Sequence, residues 1–173
     1  MKRISLLVFP AIVVSILASI SFIARGADNE GSPIYGVTMP TGYRKWELIA
    51  PSHEAGSLDE LRGILGNAAS MKAYRGGTVP FPDGAIIAKL AWKHISTPED
   101  DRALGQFQAF VPGPATTVQF MVKDSKKYPA TGDWGFGRFI DGKPADEAQH
   151  KTCFPCHAAY AKDHDFVFTR YAR

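Results

Sequence analysis

Both cysteines of the chain, Cys153 and Cys156, fall in one Cys-Phe-Pro-Cys-His stretch near the carboxyl end, with His157 directly after the second. A disulfide across two intervening residues would close a small strained loop and stabilise little. A redox dithiol of the thioredoxin kind wants a βαβ setting, with a strand before the pair and a helix opening at the first cysteine, and that setting is missing here. Zinc would need further ligands at a recognisable spacing, which the sequence does not offer. The adjacent histidine favours a fourth chemistry. Cys-x-x-Cys-His is the attachment signature of c-type haem, in which both thiols form thioethers with the vinyl groups and the histidine ligates iron. On a short helical turn two sulfurs so spaced reach one edge of the macrocycle while the next side chain swings under the metal. A redox dithiol or a metal site is the alternative.

The amino end bears on compartment. Lys2 and Arg3 precede an apolar run from Ile4 to Ala24, and Ala24-Arg25-Gly26 is a small-x-small pattern. Residues 1–26 read as a secretory signal peptide, which places the mature protein in the periplasm. The run exceeds the roughly 7–15 residues usual for such a segment, so an uncleaved membrane anchor is the alternative. Cleavage near Gly26 removes three of the 20 basic residues and leaves 17 against 17 acidic ones. A near-neutral chain offers no basic surface for nucleic acid or an anionic membrane. Residues 27–34 read as a flexible segment and 35–173 as one domain with enough apolar residues for a single core.

That domain has to position the motif. Ser57-Leu58-Asp59-Glu60 has the pattern of a capping box and predicts a short helix through Leu61, Ile64 and Leu65. A second short helix is expected from Ala68 to Tyr74. Strands are expected at Lys45 to Ala50, Ala85 to His94, Gly105 to Val111, Thr116 to Val122 and Trp134 to Ile140, from their β-branched and aromatic content between Pro/Gly turns. Strands in short succession imply an α+β fold, mainly an antiparallel sheet with a few short helices and the haem site near its carboxyl end.

Tyr43-Arg44-x-Trp46, Phe81-x-Asp83-Gly84-Ala85-Ile86-Ile87, Val122-Lys123-Asp124-Ser125-Lys126-Lys127, Gly132-Asp133-Trp134-Gly135-Phe136, the haem motif and Asp165-Phe166-Val167-Phe168-Thr169 occur in that order. In this the chain resembles the cytochrome P460 family from about Tyr35 onward. The resemblance implies a compact β-rich fold, one haem c per subunit, a homodimer and a five-coordinate iron held by His157. It also implies one of two activities: hydroxylamine oxidation by a haem carrying an extra lysine bond, or binding of nitric oxide and similar gases behind an aromatic cap, as in the cytochrome c′-beta proteins. Electrons leaving the haem would pass to a redox partner cytochrome.

The candidate cross-linking lysines are Lys89 and Lys93, four positions apart on one strand and therefore on one face. A lysine on a strand more often extends into water. Phe107, Phe110 and Phe120, with Met121, are the candidate lining of an apolar distal pocket, although strand phenylalanines are most often plain core. Asp83, Glu99, Asp100 and Asp101 fall in turns, and the stretch from Gly105 to Val122 contains no carboxylate, which favours a neutral gas over proton chemistry. Arg44 and Arg138 are candidate partners for the haem propionates. Met39, Met71 or Met121 as a sixth ligand would give a closed iron and a simple electron-transfer cytochrome. His53, His94, His150 and His164 are expected at the surface, and the Lys123–Lys127 stretch reads as a solvated turn.

Overall fold

A computed structural model describes residues 30–107 and 109–173. Six strands form one antiparallel sheet in sequence order: β1 (Glu47–Glu54), β2 (Glu60–Gly66), β3 (Ile86–Ile95), β4 (Val111–Lys123), β5 (Trp134–Ile140) and β6 (Lys143–Pro144). Four short helices accompany it: α1 (Ala68–Gly76), α2 (Pro98–Leu104), α3 (Glu147–Lys151) and α4 (Cys153–Tyr160). The fold is α+β, as its strand pattern predicts. Among the described residues no helix is long and apolar enough to cross a membrane; the stretch read as a signal peptide lies outside them, apart from which the described chain begins at Glu30.

Two elements differ from the sequence expectation. Residues 60–66, expected as a helix behind a capping box, are the interior strand β2, and Ser57 to Asp59 belong to the turn that precedes it. Pairing on both sides, with β1 and β3, satisfies every ladder position of this segment, and that outweighs a local cap signal worth about 1 kcal/mol. Gly63 and Gly66 also disfavour a helix there. A Cβ on Gly66 would lie 2.7 Å from Ser70 Oγ and 2.9 Å from Met71 Sδ, so this glycine lets α1 lie close against β2.

The second difference is residues 98–111, where a helix stands before the expected strand. Thr97 accepts the Asp100 amide at its hydroxyl, Pro98 occupies the first turn, Glu99, Asp100 and Asp101 follow, and Gly105 closes α2 in the left-handed region. Cap, proline and acidic first turn together satisfy the orphan amides and the helix dipole. The expected strand from Gly105 to Val111 is not formed; β4 begins only at Val111.

Residues 32–34, expected within a flexible segment, include one fixed contact point. Ser32 is buried, its hydroxyl donates to the Phe136 carbonyl at 2.8 Å and accepts from the Val37 amide at 3.1 Å. On one sheet face Ala88, Phe120 and Gly137 stand side by side, with the Phe120 ring edge-on to Tyr43 and Phe139. On the other stand Ile64, Lys89, Gln119 and Arg138, one on each of four neighbouring strands. The motif cysteines and the C-terminal tail cover this second face.

Candidate haem site

The helix carrying the motif is held by its neighbour. Asp146 caps α3 by accepting the Gln149 amide at 2.8 Å, and His150 on α3 is fully buried. His150 Nε2 accepts the Arg138 amide at 3.0 Å and Nδ1 donates to the Asp146 carbonyl at 2.8 Å. A histidine expected at the surface is thus the pin between α3 and β5. Thr152 joins α3 to α4, which starts at Cys153.

A cavity of about 710 Å³ lies between α4, the C-terminal tail and the sheet face. Cys153, Cys156 and His157 line it from one side; Arg62, Ile64, Ile87, Lys89, Gln119, Met121 and Arg138 line it from the sheet. Its size falls within the roughly 300–1,000 Å³ of small-molecule and cofactor sites. Cys153 is half-buried, and burial pushes its thiol above the usual range, against the pull of Arg138. Cys156 is exposed.

His157 is oriented by the tail. Its Nδ1 lies 2.6 Å from the Phe166 carbonyl, which can only accept, so Nδ1 carries the proton and Nε2 is the nitrogen left for a metal. Burial holds this imidazole below the ordinary range, opposed in part by that hydrogen bond. Phe136 and Phe168 flank the ring at 5.0 and 4.8 Å between centroids. Asp165 and Phe166 both take positive φ, at 50° and 63°, which non-glycine residues adopt only when their surroundings compel it. The Asp165 carboxylate accepts from the Phe81 amide and from Lys123, and its carbonyl accepts from Trp134 Nε1 at 2.8 Å. Lys123, expected in a solvated turn, is 4 % exposed.

The other candidates separate into two groups. Lys89 points into the cavity, where burial, and then Arg62, lowers its amine to about 8. Lys93 shares that face but is exposed, and its amine donates to the Leu58 carbonyl at 3.2 Å. Four residues carry a strand about 13 Å, so a shared face is not a shared site. Arg138 lines the cavity and its Nε is buried without a hydrogen-bond partner in the protein. Arg44 is exposed, lies over the Tyr43 ring and is not part of the lining. Phe107 and Phe110, 69 % and 43 % exposed, pack on each other outside the cavity, because their segment follows α2 and is not a strand over that face. Phe120 borders the cavity, yet its ring belongs to the opposite face of the sheet. Of the three candidate methionine ligands, Met121 lines the cavity; Met39 and Met71 do not.

The sequence reading missed the polar wall. Arg62, from the segment read as a helix, bridges Glu54 and Glu60, with Nη2 2.9 Å from Glu60. The buried Glu60 also accepts from Thr116 at 2.7 Å. The expected apolar pocket is therefore corrected: Lys89, Arg62, Arg138, Gln119 and Glu54 all border it.

The model of the family described as Cytochrome P460 matches residues 40–169. The chain belongs to the Cytochrome P460 family. No curated protein matches it in sequence. As a P460-family protein it is a monohaem c-type cytochrome, and the residues present fit that group. The cavity has the required size, the cysteine pair and an imidazole with a free Nε2 stand on one wall, and an unpartnered buried guanidinium nitrogen suits a carboxylate-bearing ligand.

Proposed function

We propose that this cytochrome is an exported enzyme that oxidises hydroxylamine or a related small nitrogen compound, with haem fixed by thioethers to Cys153 and Cys156 and with His157 Nε2 on iron. Bound haem would supply the redox centre that takes electrons from the substrate and passes them to a partner cytochrome. The observation that carries the reading is Lys89, whose amine is lowered to about 8 on the cavity wall. An amine near that value is in part unprotonated at neutral pH and is nucleophilic, the property a lysine needs to bond to the macrocycle. Such a bond replaces an N–H and a ring C–H, so its formation needs a two-electron oxidant such as a peroxide.

The polar wall supports substrate chemistry over plain gas storage. Glu54, paired with Arg62, borders the cavity and gives it a carboxylate, the acid–base component that an all-apolar pocket lacks. Met121 on the same wall supports one competing reading, a closed iron that only transfers electrons.

Mass analysis of tryptic haem peptides tests the proposal. The expected peptide contains Lys89 together with Cys153 and Cys156. A haem peptide with the cysteines alone, from protein whose ferrous form binds carbon monoxide, would move the assignment to gas binding. A ferrous spectrum unchanged by carbon monoxide would leave electron transfer.

A further inference from the structure

Away from the haem cavity, the β1–β2 hairpin and β3 bring together two imidazoles and a carboxylate. His53 Nε2 and His94 Nδ1 each lie 3.0 Å from the same oxygen of Asp59. The ligand atoms of the three residues lie within 4.8 Å of one another. We propose that His53, Asp59 and His94 form a site for a divalent transition-metal ion of the zinc or copper class.

Three observations carry this. The first is spacing: two ligand atoms each about 2.0–2.1 Å from a tetrahedral ion stand about 3.3 Å apart, close to the two nitrogen–oxygen separations of 3.0 Å found here. The two nitrogens converge on one oxygen, so an ion takes the place of the two hydrogen-bonding protons, which move to the outer nitrogen of each neutral ring, with small movements of the rings.

The second is orientation. His94 stacks on Phe110 with centroids 4.1 Å apart and planes 22° apart, and His53 lies 4.2 Å from His94. The His94 amide donates to the Asp59 carbonyl at 3.0 Å, which fastens the turn to β3. Both ring stacking and backbone therefore fix the donors before any ion arrives, and a pre-organised site loses less conformational freedom on binding.

The third is chemical type and access. Two imidazoles and one carboxylate suit zinc, copper or nickel and not the hard cations, which prefer oxygen. The ion partners of Asp59 are these two imidazoles, so its carboxylate already faces both nitrogens. His53 and Asp59 are solvent-exposed, so an ion has a path in and water completes its shell.

The site is independent of the chemistry assigned to the haem, but it shares a structural element with it. His53 lies between Ser52 and Glu54, and Asp59 follows Leu58; Ser52, Glu54 and Leu58 line the cavity. Strand alternation puts the metal donors of the hairpin behind its cavity-lining residues. A bound ion joins β1, the turn and β3 and stiffens one rim of the cavity.

Zinc titration of the haem-loaded protein, followed calorimetrically, tests the site. The expected result is one equivalent bound with a dissociation constant in the micromolar range or tighter, weakened at least ~10-fold in H53A and in H94A. Copper added in place of zinc should give a paramagnetic resonance spectrum with coupling to two imidazole nitrogens, reduced to one in each single variant. The haem absorption spectrum of each variant, unchanged from wild type, verifies the fold. Absence of zinc binding by the wild type, or binding of equal strength by the H53A/H94A double variant, overturns the proposal.

Discussion

Lys123 Nζ donates to both carboxylate oxygens of Asp165, at 2.8 and 2.9 Å, across 42 residues of sequence. The pair is buried, lies beside the Trp134 ring, and also gives Lys123 the Gly132 carbonyl at 3.0 Å. One residue beyond Asp165, the Phe166 carbonyl accepts the His157 proton. The last strand-end of β4 thus sets the orientation of a histidine on α4 through a left-handed turn. No sequence-local signal connects them.

Removing one member of this pair leaves the other buried and uncompensated, which costs about 3–5 kcal/mol. K123M and D165N should each lower unfolding free energy in urea by that order, and the K123M/D165N double variant should lose less than the sum of the single losses. The same single variants should weaken the iron–imidazole bond, read as a shift of its stretching band in resonance Raman spectra.

Lys89 predicts a pH dependence with a definite sign. Its folded amine titrates at about 8 against an ordinary 10.5, so between those values the unfolded chain binds more protons and stability rises with pH. Below pH 8 the burial penalty is at its full size, ~3 kcal/mol. On a C153A/C156A background, which keeps the amine free of covalent haem, K89M should stabilise the fold at pH 7 by up to that amount, and its advantage should fade between pH 8 and 10.5. Urea unfolding of both chains across that range measures it; a gain independent of pH would show that Lys89 is not buried as described.

Arg138 and Arg44 make a paired comparison. Arg138 presents a buried, unpartnered Nε at the cavity wall, whereas Arg44 is exposed over Tyr43. R138Q should lower the yield of haem-loaded protein and weaken its ligand binding ~10-fold or more, since a charge-assisted hydrogen bond contributes about 1.5–3 kcal/mol. R44Q should leave both within twofold of wild type, as should F107S and F110S.

Much of the sheet is legible in sequence because its strands carry β-branched and aromatic residues between Gly and Pro turns. Trp134–Ile140 forms a strand as expected, and α1 extends two residues past the expected Tyr74. The two errors are of opposite kinds. Ser57 to Glu60 have a real capping pattern, but β2 is decided by partners on both sides that lie elsewhere in the chain. Thr97-Pro98-Glu99-Asp100-Asp101 shows the opposite case, a legible helix start overlooked in favour of aromatic residues downstream.

The haem motif was readable from the sequence alone, because two sulfurs and an imidazole must lie within one helical turn to meet one macrocycle, and a helical turn is contiguous in sequence. Local chemistry of that kind needs no fold to be recognised. The tertiary structure alone decided that Lys89 enters the cavity while Lys93 meets solvent, that Arg138 faces it while Arg44 does not, and that Lys123 is paired in the interior. Each of these depends on what packs over a given point of the sheet, and that is fixed by cross-strand register and by a tail returning from the far end of the chain, neither of which is written in the spacing of neighbouring residues.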